Sequence, residues 1–276
     1  MFSHPRILVS SLSVFDASFV KSGAVAVPRR EFHALSFRLS GQITVETPES
    51  RLLSSAGELT FVPQGVSYRT EILENSRIYG VELDSISGRI AKQLYQKADI
   101  RIQGFENADF SDSFFDVAIG NVPFGQFKVS DKRYEKNNFL IHDYFFGKAL
   151  DQVRPGGVIA FITSKGTMDK ENTAVRKYIA QRAELLGAIR LPNNAFKANA
   201  GTEVTSDILF LQKRDRIMDI TPDWVHTGKD ENGISMNEYF ISHSQMILGK
   251  MENVSGPFGM EAACLPFPDK SLEELL

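Results

Sequence analysis

Between Arg77 and Arg214 the sequence alternates regularly between short apolar runs and amphipathic segments, and that alternation constrains the fold most. RIYGVEL (77–83), DIRIQGF (99–105), FFDVAIGN (114–121), GVIAFITS (157–164), LLGAIRLP (185–192) and DILFLQKR (207–214) read as strands. Between them, SISGRIAKQLYQK (85–97) places Ile86, Ile90, Ala91 and Leu94 on one helical face. FLIHDYFFGKALDQV (139–153) predicts a second helix, stopped by RPGG (154–157), and TAVRKYIAQRA (173–183) a third. Strands and helices alternating at this spacing imply an α/β domain with a parallel sheet covered on both faces.

The flanking segments differ. From Phe32 to Ile72, LSFRLSG (35–41), QITVET (42–47) and ELTFVPQG (58–65) alternate apolar and polar residues and predict strands without helices. Beyond about Asp215 the pattern weakens into a polar tail carrying Trp224, Tyr239 and Phe240, expected to wrap the domain or lead into another. The expected division is therefore a β segment over 1–75, an α/β core over 76–215 and an extension over 216–276. With 42% hydrophobic and 24% charged residues in 276, the chain has material for a real core. It has no run of 18 apolar residues, so no membrane-spanning helix is expected. MFSHPRILVSSLSVFDASF lacks the charged-then-apolar order of a secretory signal. The single cysteine, Cys264, excludes an intramolecular disulfide and a Cys-cluster zinc site, and is compatible with a reducing compartment. A net charge of −3 gives no global basic field, although a local basic groove remains compatible with it.

The informative tetrapeptide is Asn121-Val122-Pro123-Phe124, within DVAIGNVPFG. It follows an apolar strand and so lies at a carboxyl end, where open α/β sheets bind ligands. An Asn/Asp/Ser-x-Pro-aromatic tetrapeptide arises by chance in roughly one chain of this length in six. An Asn-x-Pro turn can also simply close a strand, so the surrounding motifs decide its meaning.

GVELD (80–84), GFENADF (104–110), DVAIGNVPFG (116–125), RPGGVIAFITSKGTMD (154–169) and AIRLPNNAFKANAGTEVTSDILFLQKR (188–214) stand in the order and spacing of N6-adenine DNA methyltransferases, which the chain resembles over about Ser76 to Met260. It is similar to methylase-like domains found beside helicase-like domains in large proteins of bacterial mobile elements. The resemblance implies a Rossmann-like sheet, S-adenosylmethionine as cofactor, no metal, DNA as substrate, a helicase-like neighbour and a cytoplasmic location. It also implies roles. The adenine N6 lone pair is delocalised into the ring, so a site must accept its two N–H hydrogens. The Asn121 side-chain oxygen and the Val122 carbonyl, held before the rigid Pro123, suit that task. Phe124 would stack on a base flipped from the duplex. Phe196 matches the position of a second stacking aromatic, or anchors its loop. Glu82 matches the acceptor for ribose hydroxyls and Glu106 the acidic residue facing the cofactor adenine, though an acidic residue at a strand end is also ordinary. The lysines and arginine of QFKVSDKRYEKNN (126–138) would hold phosphates, or form a solvated loop. Cys264, far from any Pro-Cys pair, speaks against methylation of cytosine C5, which needs a thiolate.

Residues 32–72 resemble part of the sensor half of an AraC-type regulator, a cupin-like β-barrel, through HALSFRLSG and AGELTFVPQG. His33 is the only histidine there, too few for a cupin metal site, and no helix-turn-helix half accompanies it. This segment stands where the methyltransferases carry their first strand, Gly-rich turn and helix. A missing first βα unit, a junction near Glu74–Ile78 and impaired cofactor binding are therefore expected. Two other readings stay open. The chain is a non-catalytic DNA- or ligand-binding regulatory module, an AraC-like sensor fragment fused to a Rossmann-like domain, or it methylates a small molecule. Relatives with the same tetrapeptide methylate glutamine in proteins, so these residues do not fix the amine.

Overall fold

A computed structural model describes residues 6–9, 23–27, 34–37, 42–47, 51–55, 59–62, 67–72, 77–197, 201–256 and 259–275. The central feature is a seven-stranded sheet built from β1 (Arg6–Val9), β8 (Arg77–Glu82), β9 (Asp99–Ile102), β10 (Phe115–Asn121), β11 (Val153–Ser164), β12 (Ala183–Leu191) and β13 (Ser206–Lys213). Their spatial order is β12-β13-β11-β10-β1-β8-β9.

The expectation of a missing first strand is corrected here. RILV (6–9) lies between β10 and β8 and pairs parallel with both. Without it, two central strands would present unpaired edges, and four residues of β-compatible sequence suffice to close both ladders. The positions where a Gly-rich turn and helix would follow β1 lie outside the described residues, as do 74–76 of the junction expected near Glu74–Ile78, whose Arg77 and Ile78 belong to β8. A second correction concerns direction. β13 runs antiparallel to both of its neighbours. Its entry loop starts and ends at the carboxyl edge, clamped where Val204 N donates to Asn193 O at 2.8 Å, so the chain must return the other way.

Between β1 and β8 the described strands are all antiparallel. β2 (Gly23–Val27), β7 (Tyr68–Ile72), β4 (Gln42–Glu46) and β5 (Arg51–Ser55) form one sheet in that order, and β3 (Ala34–Phe37) pairs with β6 (Leu59–Val62). The strand character expected for 35–65 is therefore present. Described residues 6–9 of this segment nonetheless belong to the main sheet.

Helix α1 (Ser85–Leu94) starts where Asp84 Oδ1 accepts Ser87 N at 2.7 Å. Its expected apolar face is divided. Gly88 and Ala91 face the sheet, while Ile86, Ile90 and Leu94 are more than half exposed. The sheet side chains come too close for anything larger, since a Cβ on Gly88 would stand 2.8 Å from Ile102 Cγ1. Helix α2 (Ile141–Gln152) is buried nearly all round. It ends where expected, but β11 begins at once and RPGG is its first turn of strand. Gly156 adopts φ +74°, and the register against β10 shifts between Phe115 and Val117. Helices α3 (Gly166–Asp169) and α4 (Ala174–Arg182) complete the layer. One cluster of edge-to-face rings, Tyr79, Phe110, Phe114 and Phe115, fills the core beside β8 and β10. The tail packs back onto the domain, with Trp224, Met236 and Phe240 buried.

Candidate functional site

The chain leaves β1 toward β8 and β9 on one side and later adds β10 and β11 on the other, so the order reverses between β1 and β10. Ligands of open α/β sheets bind at such a reversal, outside the carboxyl ends. Val9, the last described residue of β1, pairs with both Gly80 and Ile119. Glu82 and Asn121 each stand two residues farther along their strands. At the usual interstrand spacing their main chains are about 10 Å apart, flanking the end of β1.

On one flank, the half-buried Glu82 turns Oε1 to Asp84 N at 2.8 Å. Its carbonyl accepts Gln103 N at 2.9 Å, which brings the chain after β9 alongside. A 3₁₀ turn, Phe105–Asn107, then presents Glu106, whose carboxylate folds over Gly104 and accepts Asn107 Nδ2 at 3.0 Å. A Cβ at Gly104 would require that carboxylate to swing aside. Lys148 of α2, its pKa lowered by burial, donates to the Phe105 and Glu106 carbonyls at 2.7 and 3.0 Å and fixes this turn from below. On the other flank, Asn121 ends β10 in register with Ile162. Val122 N donates to Ile162 O at 3.0 Å and its side chain is buried. Burying a valine is worth about 1.5–3 kcal/mol, so Val122 anchors the turn and leaves Pro123 and Phe124 outward. Phe124 is 37% exposed.

Phe196 sits half-buried in a turn after β12, where Ala195 N donates to Pro192 O at 3.0 Å. β12 runs parallel to β10 and β11, so this turn lies at the same edge, three strands from Phe124. The basic loop is less available than its sequence suggests. Arg133 is held by Asp112 at 2.7 and 2.8 Å and by Asp151 at 2.9 Å, and Lys128 Nζ donates to Asn138 Oδ1. Lys132 and Lys136 remain exposed. Cys264 is fully buried and its thiol is pushed up to about 12, mainly by burial, so it is no nucleophile at neutral pH.

The Eco57I restriction-modification methylase family matches this sequence over residues 31–196, more than half of the chain. The chain belongs to that family. The match takes in residues 31–75 and crosses the boundary expected at 75/76, so the segment likened to an AraC-type sensor lies within the methylase match. The chain is 32% identical over 167 residues to defense against restriction protein B of Escherichia phage P1, covering 58% of this chain and 7% of that protein. It thus spans only a small part of that relative's length. Among solved structures, a chain from Listeria monocytogenes assigned to the class I S-adenosylmethionine-dependent methyltransferases is 23% identical, with TM-score 0.42 and coverage of 53% and 47%. The M protein of the type I restriction enzyme EcoKI is 17% identical, with TM-score 0.42 and coverage of 50% and 32%. S-adenosylmethionine is the cofactor of a methylase of this family, and the donor set fits it: carboxylate acceptors close β8 and follow β9, beside the sheet's reversal point. Among the described residues, no helix is long and apolar enough to cross a membrane.

Several charged residues of this methylase-family chain escaped the sequence reading. Arg190 of β12 and Asp207 of β13 are fully buried and paired twice, at 2.8 and 2.9 Å. Arg190 also reaches Asp169 at 2.9 Å and lies 4.2 Å over the Phe240 ring. Burial opposes its charge, but the two carboxylates outweigh burial and raise its pKa. His142 and Asp143, buried, and the half-buried Lys170 form a second charged group behind the Asn121 turn. The available signal was a pair of polar residues, His-Asp, in the first turn of a helix that buries nearly all its side chains.

Proposed function

We propose that this chain is the catalytic core of an adenine-N6 DNA methylase. The observation that carries the reading is the placement of Glu82 and Asn121 at matching heights on either side of β1, with Phe124 exposed beside them. The Asn121 side-chain oxygen and the Val122 carbonyl accept the two N–H hydrogens of the substrate amine and orient its lone pair for in-line attack. As positive charge develops on that nitrogen, the same two acceptors stabilise it. Phe124 stacks on one face of the extruded base, and Phe196 closes from the other side of the edge. Glu82 accepts from the ribose hydroxyls of the cofactor and Glu106 faces its adenine. When bound, S-adenosylmethionine supplies an electrophilic methyl group on a sulfonium. Lys132 and Lys136 lie free to meet phosphates in a duplex. A helicase-like domain or protein partner is expected beside it, and a cytoplasmic location follows from the substrate.

Equilibrium dialysis with labelled S-adenosylmethionine tests the cofactor half of this reading. Glu82→Ala is expected to weaken binding on the order of tenfold to a hundredfold, the loss of charge-assisted hydrogen bonds. Residues 10–22 contain no glycine, so the wild-type affinity is expected to be weak. That same feature favours a second reading, a DNA-binding module without transfer activity. Salt-dependent DNA retention with no cofactor binding at millimolar concentration would select it.

A further inference from the structure

The first turn of α2 stands directly behind the Asn121–Phe124 turn. Ile141 N donates to Phe127 O at 2.9 Å, and a Cβ on Gly125 would stand 3.4 Å from Ile141 Cγ2. The next two residues, His142 and Asp143, are each 2% exposed. His142 Nε2 lies 3.3 Å from Asp143 Oδ1, while the other carboxylate oxygen receives Lys170 Nζ at 2.6 Å. The main chain of Gly125 faces the same imidazole. Three elements therefore converge on one ring: the residue after the tetrapeptide, the start of α2 and the end of α3.

Among the described residues, neither ring nitrogen nor Asp143 Oδ1 makes a well-aligned hydrogen bond, although Nε2 and Oδ1 lie 3.3 Å apart and the Gly125 main chain faces the ring. A buried polar atom without a well-aligned partner is costly, and a cluster of them at one point is poorly explained by packing alone. Burial lowers the pKa of His142, with Asp143 opposing and Lys170 reinforcing the shift, so the ring is neutral near pH 7. A neutral imidazole offers one donor and one acceptor. It can engage Asp143 with one nitrogen and a main-chain group with the other. Hydrogen bonds in catalytic machinery are often long without substrate and shorten when substrate is bound.

We propose that His142 is a positioning residue: it tethers Gly125, and through it the Asn121–Phe124 turn, to the Asp143–Lys170 ion pair, and the tether tightens when a base enters the crevice. This rests on the reading of that turn as the amine-binding site. The tether explains why a polar pair occupies the apolar first turn of α2. It also gives the turn a fixed height above the sheet, which an exposed Pro123 and Phe124 cannot provide themselves.

The test compares His142→Ala with His142→Gln in the full chain. Loss of the tether is expected to lower kcat for methyl transfer on the order of 10- to 100-fold by misplacing the amine. KM for S-adenosylmethionine should stay within about twofold, because the cofactor acceptors are untouched. Gln carries both a donor and an acceptor and should restore part of the rate. A second readout needs no activity. 4-Fluorophenylalanine placed at position 124 should give a sharp ¹⁹F line in the parent, a broadened or split line with His142→Ala and a narrower one with His142→Gln. If His142→Ala lowers only the melting temperature, leaving kcat and the fluorine line unchanged, the tether is overturned. If Asn121→Ala leaves transfer intact, the amine-site reading fails instead, and the fluorine line still decides whether His142 holds the turn.

Discussion

The two ends of one sheet edge use carboxylates in opposite ways. Over β11, β13 and β12, Asp169 and Asp207 close on Arg190, and the tail seals them in. Asn237 N donates to Asp169 Oδ1 at 3.0 Å, and Phe240 covers the guanidinium. Over β9, β8 and β10, Glu82 and Glu106 are half-buried, and their carboxylates accept from neighbours within two residues. Charges that face one another in the interior hold a fold together. Under the proposed function, the half-buried Glu82 and Glu106 carboxylates, with Phe124 exposed, are placed for a ligand that arrives.

Substitutions can break or sharpen this contrast. The largest stability effect is expected from Arg190→Ala, about 3–5 kcal/mol by chemical denaturation, because it leaves buried Asp207 uncompensated. Glu82→Ala, at the other end, should change stability by no more than about 0.5 kcal/mol. Equal losses at both sites would erase the distinction. Asn121→Ala should reverse the pattern, lowering methyl transfer on the order of 10²- to 10³-fold in single-turnover assays while the melting temperature moves little. Phe124→Ala should weaken single-stranded DNA binding by about 1–3 kcal/mol in anisotropy titrations, the value of one lost base stack.

A smaller effect concerns pH. His142 titrates below its ordinary value of about 6.5, so the unfolded chain takes up the proton first. Its contribution is therefore flat above about pH 6.5 and turns destabilising as pH falls from there through the folded value. Denaturation curves across that window should show the slope, and His142→Gln should remove it. The smallest change is expected from Ile90→Lys on the outward face of α1, within about 0.5 kcal/mol. A loss of several kcal/mol there would mean that the stripe of Ile86, Ile90 and Leu94 is covered.

Much of this architecture was legible in hydrophobic periodicity, and its failures share a cause. The strands from Arg77 to Lys213 and helices α1, α2 and α4 between them appear within a few residues of their expected positions, because apolar runs and helical periods alternate there. RILV at 6–9 is as short as β9, but its register partners lie 71 or more positions away, against 20 for β9, so nothing local marks it as a central strand. The α1 face was misread because periodicity records which residues share a side, not how close the sheet comes. Only the approach of Ile102 to Gly88 settles that. In the site, Asn121 to Phe124 and Glu82 could be placed from strand ends alone. The Arg190–Asp207 pair could not, since each residue reads singly as a charge in a strand and only the antiparallel register sets them opposite.

The most direct measurement is the chemical identity of the product. The chain is incubated with methyl-labelled S-adenosylmethionine and adenine-containing DNA, and the digested nucleosides are resolved by mass spectrometry. Label on the exocyclic nitrogen of adenine is expected, lost with Asn121→Ala. Label on a cytosine ring carbon or on protein glutamine, or label on adenine that survives Asn121→Ala, would contradict the proposed function.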